Sequence, residues 1–176
     1  MNYYILSEDI HFPYAMELGD FPETIDKRAI ATMELQYLNN EPVEIELKEG
    51  LSDISTYMYP IISQDIKDIF DREELVGIFY KPLILIDGED NYLYYLMLPK
   101  RLDCISYVES GIEKTEMTRI NKGFYLKENS IGNMRVFGLD GILNRLIIID
   151  KGIKEALEKE KLVGIKITDI RDYKGD

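Results

Sequence analysis

The chain has very few of the residues that usually carry chemistry. Of its 176 residues one is cysteine, one is histidine and none is tryptophan. With only Cys104, an internal disulfide and a thiolate metal cluster are excluded. With only His11, there is no histidine pair for a metal site or a proton relay. Positive charge is scarce as well: 21 Lys and Arg stand against 33 Asp and Glu, a net charge of -12. Nucleic-acid affinity rests on Lys and Arg neutralising phosphates, so this balance argues against nucleic acid, and equally against an anionic membrane. It favours a basic protein partner, while acidity also serves solubility. Long apolar runs are missing too. Leu143 to Ile149 is interrupted by Asn144 and Arg145 and falls far short of a membrane span. The opening MNYYILSEDI has neither a positive n-region nor a long apolar h-region, so no signal peptide is expected and the expected location is the cytoplasm.

What the chain does have is a sentence written twice. Ile61 to Leu83 aligns without a gap on Ile148 to Ile170, with Gly77 on Gly164 and nine of 23 positions identical. The matches include Ile61/Ile148, Lys67/Lys154, Glu73/Glu160 and the run Leu75–Ile78 on Leu162–Ile165. In the first copy Ser63 is a good N-cap, and Ile66, Ile69 and Phe70 make a helical stripe within Gln64 to Glu74. In the second, Asp150 takes the cap position and Ile153, Ala156 and Leu157 take the stripe. Helices this short are marginal alone, so each must bury its stripe on a sheet. Gly77 and Gly164 follow Leu-Val at the helix-to-strand passage, where a left-handed backbone suits glycine.

Around the copies the pattern is mostly strand. Asn2 to Ser7 is aromatic and β-branched, and Val43, Ile45 and Leu47 alternate with Glu44, Glu46 and Lys48. Lys27 to Leu38 suits strand or helix, with Thr32 to Leu38 read as strand. Asp87-Gly88 signals a hairpin turn, followed by Tyr92 to Leu98, apolar on both faces and so an interior strand. Leu102 to Ser106 reads as loop or short strand. Phe124 to Leu126 and Met134 to Leu139 read as two more strands, and Glu109 to Gly123 as polar chain anchored by Ile112, Met117 and Ile120. The expected fold class is α+β: a mixed, mainly antiparallel sheet with a duplicated helix-strand unit and few helices. Residues 1–56 are expected as a strand-rich layer packed on the rest, and 57–176 as the duplicated domain.

Candidate chemistry is thin. Cys104 lies in an apolar run next to Asp103, whereas a nucleophilic cysteine needs a thiolate-stabilising neighbour. Asp87, Glu89, Asp90 and Asn91 do not match calcium-loop spacing, and Gly138, Gly141 and Gly152 are too scattered for a phosphate loop. Paired carboxylates occur throughout, so none can be singled out for acid–base work. No catalytic, cofactor or metal site is expected.

Several of these segments fall in a familiar order: Ser63 to Gly77, Tyr92 to Leu98, Leu102-Asp103 with Ser110, Val136 to Leu139, and Ile148 to Ile165. With Tyr3-Tyr4-Ile5-Leu6 at the start, the chain resembles the bacterial polymorphic-toxin immunity proteins of immunity family eleven, most clearly over 57–172. One departure is Asp150, where the second helix of that family often begins with Ser. The resemblance implies a non-catalytic antitoxin that binds a cognate toxin domain and blocks it, and the acidic charge suits a basic toxin. The edge expected to make that contact is Asp87, Glu89, Asp90 and Tyr92. Two readings from other classes stand beside it: a hydrolase-like enzyme using carboxylates, marked by a deep pocket with convergent polar groups, and a self-associating structural module.

Overall fold

The two copies fold alike, for the reasons their sequences give. A computed structural model describes residues 2–22, 39–56, 59–116 and 118–175. The first copy is strand β5 (Ile61–Ser63), helix α1 (Gln64–Arg72) and strand β6 (Ile78–Asp87). The second is β10 (Ile147–Asp150), α3 (Lys151–Glu158) and β11 (Ile165–Asp169). Ser63 Oγ accepts from the Ile66 amide at 3.3 Å, and Asp150 Oδ1 accepts from the Ile153 amide at 2.8 Å, so each helix has its expected cap. Gly77 and Gly164 both hold positive φ, 76° and 70°, which turns the chain from helix back into the sheet.

In each copy one antiparallel strand separates the strands before and after the helix, but the two come from different parts of the chain. In the first copy it is β7 (Asp90–Pro99), the strand that directly follows β6. In the second it is β1 (Tyr3–Glu8), from the opposite end of the protein. The register is nevertheless the same: Tyr95 pairs with Ile62 and Pro82, while Tyr4 pairs with the corresponding Ile149 and Asp169. The repeat therefore includes Tyr94-Tyr95-Leu96-Met97 and Tyr3-Tyr4-Ile5-Leu6, cyclically permuted along the chain. Isolated hydrogen bonds repeat it too. The Lys100 amide donates to Gly77 at 2.7 Å and the Asp9 amide to Gly164 at 2.8 Å. Ser63 donates to Asp53 at 2.8 Å, and Asp150 to Arg135 at 2.9 Å.

The strands make two sheets. The first runs β2 (Glu17–Leu18), β3 (Val43–Glu49), β6, β7, β5, β4 (Ile54–Ser55). The second runs β11, β1, β10, β9 (Val136–Leu139), β8 (Arg101–Leu102). Pairing is antiparallel except for β3 with β6 and β8 with β9. The first 56 residues thus enter both sheets, β1 in the second and β2 to β4 in the first. β7 is an interior strand, as its two apolar faces require.

Three cores follow from the period-2 alternation. A shared core holds the inner faces of both sheets and both helices, and its members come as equivalents: Ile62 and Ile149, Met97 and Leu6, Ile54 and Val136, Ile66 and Ile153, Phe70 and Leu157. On the outer face of the first sheet, Ile45, Leu47, Ile61, Leu83, Leu85, Tyr94 and Leu96 pack with Met16, Phe21 and Tyr59. On the outer face of the second, Tyr3, Ile5, Phe137 and Ile148 are covered by Cys104, Ile105, Ile120, Phe124, Ile142 and Tyr173.

Some expectations are corrected. Phe124 to Leu126 is not a strand: its amides go singly to different partners, Phe124 to Ile170 O and Tyr125 to Ser110 Oγ, and only Leu126 makes an isolated bridge, to Ile105. A short helix, α2 (Tyr107–Ser110), runs into the start of the stretch Glu109 to Gly123 that reads as polar chain. Thr32 to Leu38 and Met117 lie outside the described residues.

Candidate partner-binding site

The β6–β7 hairpin keeps its ladder to the tip, with Asp87 opposite Asp90 and Leu85 opposite Tyr92. Asp87, Glu89 and Asp90 are therefore brought together, all exposed, around the turn at Gly88-Glu89. Tyr92 turns away from solvent and packs half-buried on the outer core of the first sheet. Lys81, one strand over, is 4% exposed, and its ammonium donates to Asn39 O (2.9 Å), Asn39 Oδ1 (2.8 Å) and Glu41 O (2.9 Å). Burial pulls its pKa down, with the Glu41 carboxylate opposing. It pins the chain entering β3 beside β6.

That pinning gives the hairpin acidic neighbours. β3 runs parallel to β6 with Glu46 beside Ile86, a register that carries Glu49 to the level of the tip. Glu49 in turn faces Glu17 of β2. Glu17, Glu46, Glu49, Asp87, Glu89 and Asp90 thus gather at one end of one sheet, all exposed. Two of the cross-strand pairs, Asp87/Asp90 and Glu17/Glu49, set like charges opposite each other, an arrangement that costs stability. Glu17, Glu46 and Glu49 escape a reading of the sequence because their proximity depends on long-range pairings, β2 with β3 and β3 in parallel with β6. The alternation of Glu44 and Glu46 with Val43 and Ile45 was the available signal.

Elsewhere the chemistry-bearing residues sit apart. Cys104 is fully buried, and burial, followed by the Asp103 charge, pushes its thiol up to about 11. It is inert as a nucleophile at neutral pH. His11 lies exposed in the loop after β1. A cleft of about 240 Å³ opens where the sheets meet, with Pro60, Leu98, Leu139 and Ile147 among its apolar walls. Arg101 on its rim is spent on Leu139 O (3.0 Å) and Ile142 O (3.2 Å), and Arg145 lies over the Tyr59 ring at 5.6 Å. Among the described residues the lining includes no carboxylate, imidazole or thiol. Among the described residues no group of three His, Cys, Asp or Glu side chains is placed to hold a metal ion, and no helix is long and apolar enough to cross a membrane.

Fold and surface define an α+β protein of two quasi-equivalent sheets with one strongly acidic end. The sequence profile of the immunity protein family (Imm11) matches residues 6–172, nearly the whole chain, and the protein belongs to that family. The match begins at Leu6, within β1 and well before the first copy. No curated protein matches the chain.

Proposed function

We propose that this protein is a cytoplasmic, non-catalytic antitoxin that binds a cognate bacterial toxin domain and neutralises it. The observation that carries the reading is the family match along nearly the whole chain. The acidic end of the first sheet adds a physical reason. A net charge of -12 steers a basic partner into encounter, and its neutralisation would relieve the like-charge pairs at the hairpin tip and at Glu17/Glu49. Asp87, Glu89 and Asp90 contact the toxin at the tip, with Tyr92 bracing the hairpin from its outer face. The experiment is calorimetric titration of the toxin-like domain encoded beside this gene, together with co-expression. The expected outcome is 1:1 binding at roughly nanomolar affinity, as for other specific interfaces of standard size, with toxicity relieved. Toxicity relieved without binding, through turnover of a toxin product, would overturn it in favour of an enzyme.

A further inference from the structure

The two halves of the repeat part company at one place. In the second sheet the β1–β11 ladder ends at Tyr4 and Asp169, and the next residues on that face are Asn2 and Arg171, the latter held by Asp169. The first sheet continues past the corresponding Tyr95 and Pro82 to the hairpin tip. Helix α1 covers this face only as far as Tyr80 and Tyr95. Lys67 lies over those rings at 4.5 and 5.6 Å, and the Tyr95 hydroxyl donates to Gln64 Oε1 at 2.6 Å. Beyond the helix the register lays out Glu44–Ile84–Leu93 as one row and Glu46–Ile86–Asn91 as the next. Leu93 is 45% exposed and Ile84 and Ile86 are partly exposed, so an apolar strip lies open on the same face as the helix. Around it stand Glu44 and Glu46, with Asp87, Glu89 and Asp90 at its end and Lys48 as the basic neighbour on β3.

Apolar side chains of this strip are not needed for the repeated architecture, since the second half dispenses with them. An open apolar centre with a charged rim is the anatomy of a protein contact. We infer that Ile84, Ile86 and Leu93, rimmed by Glu44 and Glu46, are the surface on which a basic protein docks. The inference rests on the antitoxin reading and identifies its contact face: the partner presents an apolar anchor ringed by Lys or Arg. The tip carboxylates steer it, and Leu93 anchors it.

The test titrates the adjacent toxin-like domain with four proteins: wild type, Leu93→Arg, Glu44→Lys/Glu46→Lys, and Glu109→Lys/Glu113→Lys. The last makes the same charge change on the other half. All four substituted side chains outside Leu93 are exposed glutamates, and unchanged melting temperatures confirm folding. Leu93→Arg is expected to weaken binding about tenfold to hundredfold, as for a central anchor. Glu44→Lys/Glu46→Lys is expected to slow association and flatten its salt dependence, with the control within about twofold of wild type. Wild type failing to bind would sink the antitoxin reading and this face with it. Wild type binding with every variant unchanged would leave that reading intact and place the contact elsewhere. A wild-type dimer that Leu93→Arg turns into a monomer on gel filtration would assign the strip to a second copy of this chain and overturn the basic partner.

Discussion

The first and second halves share a register, a capped helix, a turning glycine and one core, yet they are built from differently ordered pieces of chain and finished differently at their edges. In the first half β5, α1, β6 and β7 follow one another without interruption, and β6 and β7 form a hairpin of two ten-residue strands. In the second, β1 is supplied from the far end, β11 stops after five residues, and the outer face lies under the long segment that includes Cys104, Ile120, Phe124 and Ile142. What is common to both halves is what two short amphipathic helices need in order to bury their stripes. What differs marks where structure has been added for another purpose: covering in one half, an exposed acidic arm in the other.

The largest test of the comparison lies in the shared core. Phe70 and Leu157 occupy equivalent positions, 1% and 0% exposed, and their truncation to Ala should cost about 3–5 and 2–5 kcal/mol. Denaturant unfolding should remain a single transition in both variants, with the double substitution departing from additivity by more than about 0.5 kcal/mol. Two separate transitions, each moved by one substitution, would break the pair into independent domains.

A smaller effect separates the two glycines. Alanine at either enters left-handed backbone, a cost of about 1–2 kcal/mol. A Cβ at Gly164 would also lie 2.6 Å from Ser52 Cβ and 3.0 Å from the Phe12 ring, whereas at Gly77 it meets the movable end of Met134. Gly164→Ala should therefore lower the melting temperature more than Gly77→Ala. Equal losses would mean that the neighbours of Gly164 yield as readily as a methionine.

The smallest effect concerns the covering of the second half. The Cys104 thiol is pushed from 9.0 up to about 11 in the folded protein. Above pH 9 the unfolded chain loses this proton while the folded one keeps it, so the contribution to stability is full below pH 9 and declines as pH rises toward 11. The decline is at most about 1.4 kcal/mol per pH unit. Cys104→Val should remove that part of the alkaline slope, measured as the difference between the two proteins' unfolding free energies at pH 8 and 10. Identical slopes would show that the thiol ionises as easily folded as unfolded.

Much of the repeat was legible because it is local. The stripes Ile66/Ile69/Phe70 and Ile153/Ala156/Leu157, the caps Ser63 and Asp150 and the turning glycines all lie within one helical turn of the residues they serve. The strand between the copies' strands was not. Tyr3-Tyr4-Ile5-Leu6 and Tyr94-Tyr95-Leu96-Met97 are four residues each, too short to stand out, and they flank the repeat on opposite sides. Phe124 to Leu126 misled because its buried Phe124 answers to a loop's packing, not to a ladder. At the candidate site the cluster Asp87, Glu89 and Asp90 was readable from one turn, but the face of Tyr92 depended on the strand's phase. Glu17 and Glu49 depended on pairings made at long range.

The borrowed strand also sets an order of events at the ribosome. The first half has all its strands and its helix once Pro99 has emerged, and can close over short loops. The second cannot: β1 is synthesised ahead of the whole first copy but its two neighbours, β10 and β11, come after it, so its edges are satisfied late. Until then Tyr4, Ile5 and Leu6 are an unpaired apolar strand. Joining the chain from β11 to β1, which the pairing of Tyr4 with Asp169 brings close, and reopening it before β9 would give β10, α3, β11 and β1 the same uninterrupted order as β5, α1, β6 and β7.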